Sequence, residues 1–271
     1  MPAYYAVLTL TILQLYLTKD NFSFPFAHLL FLQNYTGDLS IFTVSWSLSV
    51  EEQFYLFIAP LFVITLKLPT RYQISVLLTL LACPTFFRFM DFYTTLNETH
   101  VRLDCCAMGV LLAYMKHHKE SLWSLFQSKA NLLFIVSITA YLIFYIARYN
   151  PELDISGPSK LLLALIFGIW VLWSDQTNYS SNNLFTKIVM HISTRSYAMY
   201  LLHVDALSLL KKLELEGNFF AFFALALAVT MLLSECLYRA IELPFMKSRS
   251  RFAFSKSRSA MHHSSRNAKT V

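Results

Sequence analysis

The chain has 271 residues, of which 56% are hydrophobic, 16% aromatic and only 14% charged. That balance excludes an ordinary soluble domain of this length and points to a helical membrane protein. The net charge of +6 is no argument for a nucleic-acid partner, because Lys247 to Lys269 hold seven Lys and Arg and no acidic residue, and the remainder is close to neutral.

Taken in order, Tyr4 to Leu17 is apolar but short: 14 residues at about 1.5 Å each reach about 21 Å, against a hydrocarbon core of about 30 Å. It reads either as a helix tilted in from an interface or as the later part of a span whose beginning is missing. No charged leader and small-residue cleavage site precede it, so no signal peptide is expected. Lys19 to Ser45 is a mostly uncharged connection in which Phe24 to Leu32 can lie along the interface or re-enter. Seven further spans are predicted: Trp46 to Leu66, Ile74 to Met90, Leu103 to Met115, Leu132 to Ala147, Leu161 to Trp173, Ser196 to Leu210 and Phe219 to Phe245. The expectation is therefore all-α, a polytopic membrane bundle of about eight spans over residues 1–246, followed by a disordered basic cytoplasmic tail at 247–271.

Loop charges give the orientation, since cytoplasmic loops hold the excess of Lys and Arg. With the basic tail inside and the eight spans alternating, the inner set has fourteen Lys/Arg and two acidic residues in loops, and the outer set seven Lys/Arg against nine acidic residues. Both ends are then cytoplasmic. The four cysteines, Cys83, Cys105, Cys106 and Cys236, have neither CxxC nor Cys/His ligand spacing, and no metal site is expected. The sequon-like triplets at Asn34 and Asn97 fall in loops placed outside.

Trp46 to Tyr55, WSLSVEEQFY, carries two adjacent carboxylates into an otherwise apolar span. An ionised group at such a depth costs about 2.5–3.5 kcal/mol on insertion scales, so it faces a protein interior or a wet cavity. On a helix Ser47, Glu51 and Tyr55 share one stripe, while Glu52 turns about 100° away. Two readings stand beside each other. Glu51 belongs to a polar passage, or Ser49 and Glu52 form a capping box and Glu51 makes a structural hydrogen bond.

The other polar positions are similarly two-sided. His203, in SYAMYLLHVDAL, suits proton transfer or a substrate hydrogen bond, with Tyr197 and Tyr200 at helical spacing and Asp205 close by; the alternative is an interhelical hydrogen bond. Glu235, Arg239 and Glu242 stand at i, i+4 and i+7 and read as a self-neutralising charge cluster in the last span, which Pro244 should end or kink. Arg102 and Asp104 lie at the mouth of VRLDCCAMGVLLAY, whose Cys105, Gly109 and Ala113 form a small-residue stripe suited to helix packing. Arg88 is placed to pair with Asp91 or to meet an anion.

PAYYAVLTL, LLFLQNYTGD, FTVSWSLSVEEQFYLFIAPLFV, VRLDCCAMGVLLAY, ISTRSYAMYLLHVDAL and YRAIELPFMK resemble, in this order, pieces of the acyltransferase 3 family. The resemblance runs from about Pro2 to Lys247. It implies a bacterial inner-membrane O-acyltransferase that uses acyl-CoA, acetyl-CoA above all, as donor substrate with no bound cofactor, and acylates a hydroxyl of a surface carbohydrate or related acceptor. It also implies two further spans at the front, with an Arg and a catalytic His on the first; neither motif is present here, and His28 in FPFAHLLFLQ does not match that His. No catalytic residue is transferred on this ground. By resemblance Glu51 binds or orients substrate, Arg102 contacts an anionic group, and His203 and Glu242 line or brace the cavity, with Tyr55 and Tyr200 beside them. The rival expectations are a non-catalytic remnant or scaffold, and a transporter-like protein with a polar pathway, although WSLSVEEQFY has no echo in the second half.

Overall fold

A computed structural model of the chain describes residues 2–18, 23–36, 41–150, 156–176, 183–213 and 218–248. All regular structure among them is helical, in the order α1 (Pro2–Thr18), α2 (Phe26–Leu29), α3 (Gln33–Thr36), α4 (Ser45–Thr65), α5 (Thr70–Phe89), a 3-10 turn (Thr99–Val101), α6 (Asp104–His118), α7 (Glu120–Ser128), α8 (Ala130–Arg148), α9 (Ser156–Ser174), α10 (Leu184–Lys212) and α11 (Phe219–Leu237). Helix α11 continues through a π turn at Tyr238–Glu242. The expected tail falls mostly on residues 249–271, which lie outside the described set.

The all-α expectation holds, but the expectation of about eight spans does not. Among the described residues four helices are long and apolar enough to cross a membrane, Ser45–Thr65, Thr70–Phe89, Ala130–Arg148 and Phe219–Ser248, with Ser159–Ser174 as a shorter apolar helix. The reasons are length and charge. Helix α1 has 17 residues and α6 only 15, while α10 absorbs Lys187, Arg195, Asp205, Lys211 and Lys212 into one 29-residue helix. The inner and outer loop assignment built on eight alternating spans goes with the count.

The chain divides into two compact units, Phe26–Ser180, and Met1–Pro25 with Ser181–Val271. In the first, α5, α6 and α9 pack together and α8 packs on α9, with Leu81, Ala107, Met108 and Ala164 buried at their contact. The close approach is made at Gly168, where an added Cβ would lie 2.8 Å from Met108 Cγ. The Cys105, Gly109 and Ala113 stripe is not the packing face: Cys105, Gly109 and Ala113 are exposed, and a Cβ on Gly109 would meet nothing within 4 Å.

Polar bonds tie the helix ends of this unit. Buried Arg88 at the end of α5 grips Asp104 at the start of α6 with both guanidinium nitrogens, at 2.8 and 3.1 Å, and donates to the Val101 carbonyl. Its partner is thus Asp104 and not Asp91, which takes the left-handed turn after α5 at φ 49°. At the opposite end the Tyr114 hydroxyl donates to Gln73 Oε1, and Gln73 Nε2 holds the carbonyls of Leu66 and Leu68. This joins the end of α6 to the α4–α5 turn.

In the second unit α10 packs on α11. Asn183 and Asn218 cap the two helices by accepting from the amides of Phe185 and Phe220, so each starts at an asparagine N-cap. Pro244 does not end the last helix, which runs to Ser248. The π turn immediately before it widens the backbone where the proline can supply no N–H.

The Arg88–Asp104 pair generates a stability prediction. Both side chains are at most 3% exposed, so Arg88→Met strands a buried carboxylate and should destabilise by about 3–5 kcal/mol, whereas Arg88→Met with Asp104→Leu should recover much of the loss. Thermal unfolding in detergent checks this; equal Tm values for the single and double variants would contradict it.

Candidate functional site

Helix α4 is locked on one side by amides and hydroxyls. Gln53, buried, donates to the Phe31 carbonyl at 2.6 Å and to Asn34 Oδ1 at 3.0 Å, and accepts from the Thr99 hydroxyl. Asn34 in turn donates to Thr99 Oγ1 at 2.9 Å and to the Asn97 carbonyl, and Gln33 donates to the Ser45 carbonyl at 3.1 Å. With Asn34 buried and engaged in this network, its sequon is not a free attachment point. The expected capping box is absent too: α4 begins at Ser45, Ser49 lies a turn inside it, and the Ser49 hydroxyl donates back to the Ser45 carbonyl.

Because Ser49 and Gln53 face inward, Glu51 is turned onto the opposite, more open flank and Tyr55 is exposed below it. The Tyr55 hydroxyl donates to Glu51 Oε1 at 3.1 Å. Cys106 of α6 lies close enough to interact electrostatically with both. Arg102 stands at the start of α4, its guanidinium 4.9 Å from the Trp46 ring centre and its Nε donating to the Leu96 carbonyl. Burial, and then the like charge of Arg88, push Arg102 below its ordinary range, with Asp104 opposing them. Added negative charge beside Arg102 would relieve that.

Below Glu51 and Tyr55 an apolar cavity of about 320 Å³ opens between α4 and α6, lined by Ile58, Ala59 and Phe62 on one side and Val110, Ala113, Tyr114, His117 and His118 on the other.

In the second unit, Tyr200 and His203 line a groove of about 490 Å³ between α10 and α11, closed by Phe223 and Thr230. The His203 Nδ1 lies 2.7 Å from the Tyr200 carbonyl. A carbonyl only accepts, so Nδ1 carries the proton and Nε2 holds the lone pair in the neutral ring. Asp205 is exposed on another face of the helix.

The charge cluster of the last helix has a different membership from the sequence pattern. Glu235 takes Arg239 from its own helix and, in a fork, Arg195 from α10, with His191 at 3.8 Å. Arg195 also lies 4.5 Å over the Tyr238 ring. Glu242 does not join them, and its Oε1 is buried without a hydrogen-bond partner among the described residues. No group of three or more His, Cys, Asp or Glu among the described residues could hold a metal.

Glu51, Tyr55 and Arg102 therefore belong to one unit, and Tyr200, His203, Glu235, Arg239 and Glu242 to the other. Sequence reasoning missed Gln53, whose signal was an uncharged amide inside an apolar span. It also missed Arg195, which falls just before the span predicted at Ser196 to Leu210 and lies inside α10.

The acyltransferase 3 family, described as an acyltransferase domain, matches residues 2–239. A Staphylococcus aureus (strain COL) protein named as a candidate O-acetyltransferase is 26% identical over 226 residues, covering 74% of this chain and 36% of the relative. The peptidoglycan O-acetyltransferase OatA of Listeria monocytogenes serovar 1/2a is 29% identical over 222 residues, covering 74% of this chain and 35% of the relative. The chain spans about a third of the length of these curated relatives. No solved structure matches it. With the family pattern running through nearly every described helix, the chain belongs to the acyltransferase 3 family.

Proposed function

We propose that this chain is the membrane part of an O-acyltransferase that moves a short acyl group, acetyl first, from acyl-CoA to a hydroxyl of a cell-surface carbohydrate at the bacterial inner membrane. The observation that carries the reading is the placement of Glu51. A membrane-length helix turns this carboxylate to its open flank, fastened to a tyrosine hydroxyl, while the neighbouring polar side chains are consumed in a buried network. A carboxylate kept on such a helix at several kcal/mol of insertion cost has a task other than packing.

In ester transfer the acceptor hydroxyl gives up its proton, its oxygen attacks the thioester carbonyl, and the carbon–sulfur bond breaks to release CoA as the thiol. A positioned base and donors for the developing oxyanion lower this barrier. Glu51 orients the acceptor hydroxyl and Tyr55 is the adjacent donor. In the other unit His203, whose Nε2 holds the lone pair in the neutral ring, offers a proton acceptor of its own. Arg102 holds an anionic group of the acceptor or donor.

Two substitutions test this in the whole protein, with transfer of labelled acetyl groups as the readout. Glu51→Gln should lower turnover by about 100-fold or more with membrane insertion intact; unchanged turnover removes Glu51 from the site. His203→Ala should cause a loss of the same order, and retained transfer would return His203 to helix packing.

A further inference from the structure

We infer that the first three turns of α10, residues 184–195, lie at the membrane interface and bind the headgroup of an anionic phospholipid, with Lys187 and Arg239 reaching its phosphate. Neither Glu51 nor His203 has a part in this contact.

This segment of α10 has two unlike faces. At about 100° per residue, Leu184, Phe185, Ile188, Val189 and Ile192 fall within one arc of about 140°. Lys187, His191 and Arg195, at i, i+4 and i+8, run along one edge of that arc. The five apolar side chains are between 37 and 71% exposed, so the described residues leave this face largely open. A contiguous apolar face of that kind is costly in water. On an interfacial helix it is the side that sinks into the acyl region, with the cations at the level of the phosphates.

Packing against α11 sets the depth. α10 ends at Lys212 and α11 begins at Phe219; that link reaches about 24 Å at most, whereas a parallel return along α10 would need about 43 Å. The two helices are therefore antiparallel, and Arg195 meets Glu235, with His191 3.8 Å from the same carboxylate. From Phe219, about 20 residues cross a hydrocarbon core of about 30 Å, which brings Arg239 and the start of α10 to the headgroup level. Charge selects the occupant there. Glu235 is taken by Arg195 and Arg239, and Glu242 has its Oε1 buried. No carboxylate among the described residues pairs with Lys187, and the Arg239 side chain is 72% exposed. A zwitterionic lipid or an apolar helix would cover the open arc but leave these cations without a counter-charge. A phospholipid of net negative charge supplies both parts, acyl chains for the arc and an anionic phosphate for Lys187 and Arg239. The seven Lys and Arg of 247–269, with no acidic residue among them, continue the same charge preference in the sequence.

The test is lipid binding by the whole protein in a neutral detergent, read by native mass spectrometry with dioleoylphosphatidylglycerol and dioleoylphosphatidylcholine as probes. The wild type should bind the anionic lipid about tenfold tighter than the zwitterionic one or better, and Lys187→Gln with Arg239→Gln should bring the two within about twofold. Lys187→Gln alone, at an exposed position, should lower the preference by about fivefold and serves if the double variant inserts poorly. Lys211→Gln with Lys212→Gln, at the other end of α10, should keep it. Depth is read by power-saturation EPR in nanodiscs containing the anionic lipid, with a spin-labelled amino acid in place of Ile188 or of Met190 on the opposite face. At 188 oxygen should relax the label more than a water-soluble nickel chelate does, and at 190 the reverse. A wild type without the preference, or Lys187 and Arg239 variants that retain it, overturns the headgroup assignment. A label at 188 reached better by nickel overturns the interfacial placement, and one reached by neither reagent does so in favour of a protein surface covering this face.

Discussion

The orientation of α4 depends on Gln53. Its side chain is both donor and acceptor in a network that reaches Phe31, Asn34 and Thr99, residues far away in sequence, and each of these partners is itself bonded. Leaving any of these polar atoms unpaired in a buried setting would cost about 1–3 kcal/mol, so the helix has little freedom to rotate. Everything on the other flank follows from that constraint. Glu51 cannot turn inward, Tyr55 stacks below it one turn on, and the apolar stripe continuing to Phe62 faces α6 across an open gap.

Ion pairs hold two further helix pairs. Arg88 and Asp104 close the α5–α6 end with a forked, buried ion pair, and Glu235 does the same between α10 and α11 by taking two arginines at once. The first lock lies at helix ends, whereas the second joins Arg195, well inside α10, to Glu235, well inside the helix that runs to Ser248. His203 is positioned by its own helix: a backbone carbonyl three residues earlier takes its Nδ1 proton and thereby decides which nitrogen is available. Tautomer control of this kind needs no second charged residue, and Asp205 is exposed to no evident purpose in it.

The apolar runs of α4, α5, α8 and α11 were legible because a membrane-length helix is a property of consecutive residues, as was the stripe that pairs Glu51 with Tyr55. The span count was not. A 15-residue α6 and a charged α10 look like spans once one assumes a helix must cross at every apolar patch, whereas their lengths and charges place them below that threshold. The partners of Arg88, Gln53 and Arg195 were illegible for another reason. They are 16, 46 and 40 residues away respectively, and periodicity on one helix carries no information about its neighbour's face. The i, i+4 rule correctly joined Glu235 to Arg239 and then wrongly extended to Glu242, because a π turn breaks the spacing on which the rule depends.

In the proposed reading Glu51 is the side chain on which the chemistry turns, and its accessibility can be measured directly. A water-soluble carbodiimide with an amine tag, applied to the whole protein in nanodiscs and read by mass spectrometry, reports the accessibility of Glu51 against that of Glu52 beside it. Glu51 should be tagged readily, and acetyl-CoA should slow its tagging selectively. A Glu51 that stays untagged, or is tagged at the same rate with and without acetyl-CoA, would contradict its proposed place in the reacting site.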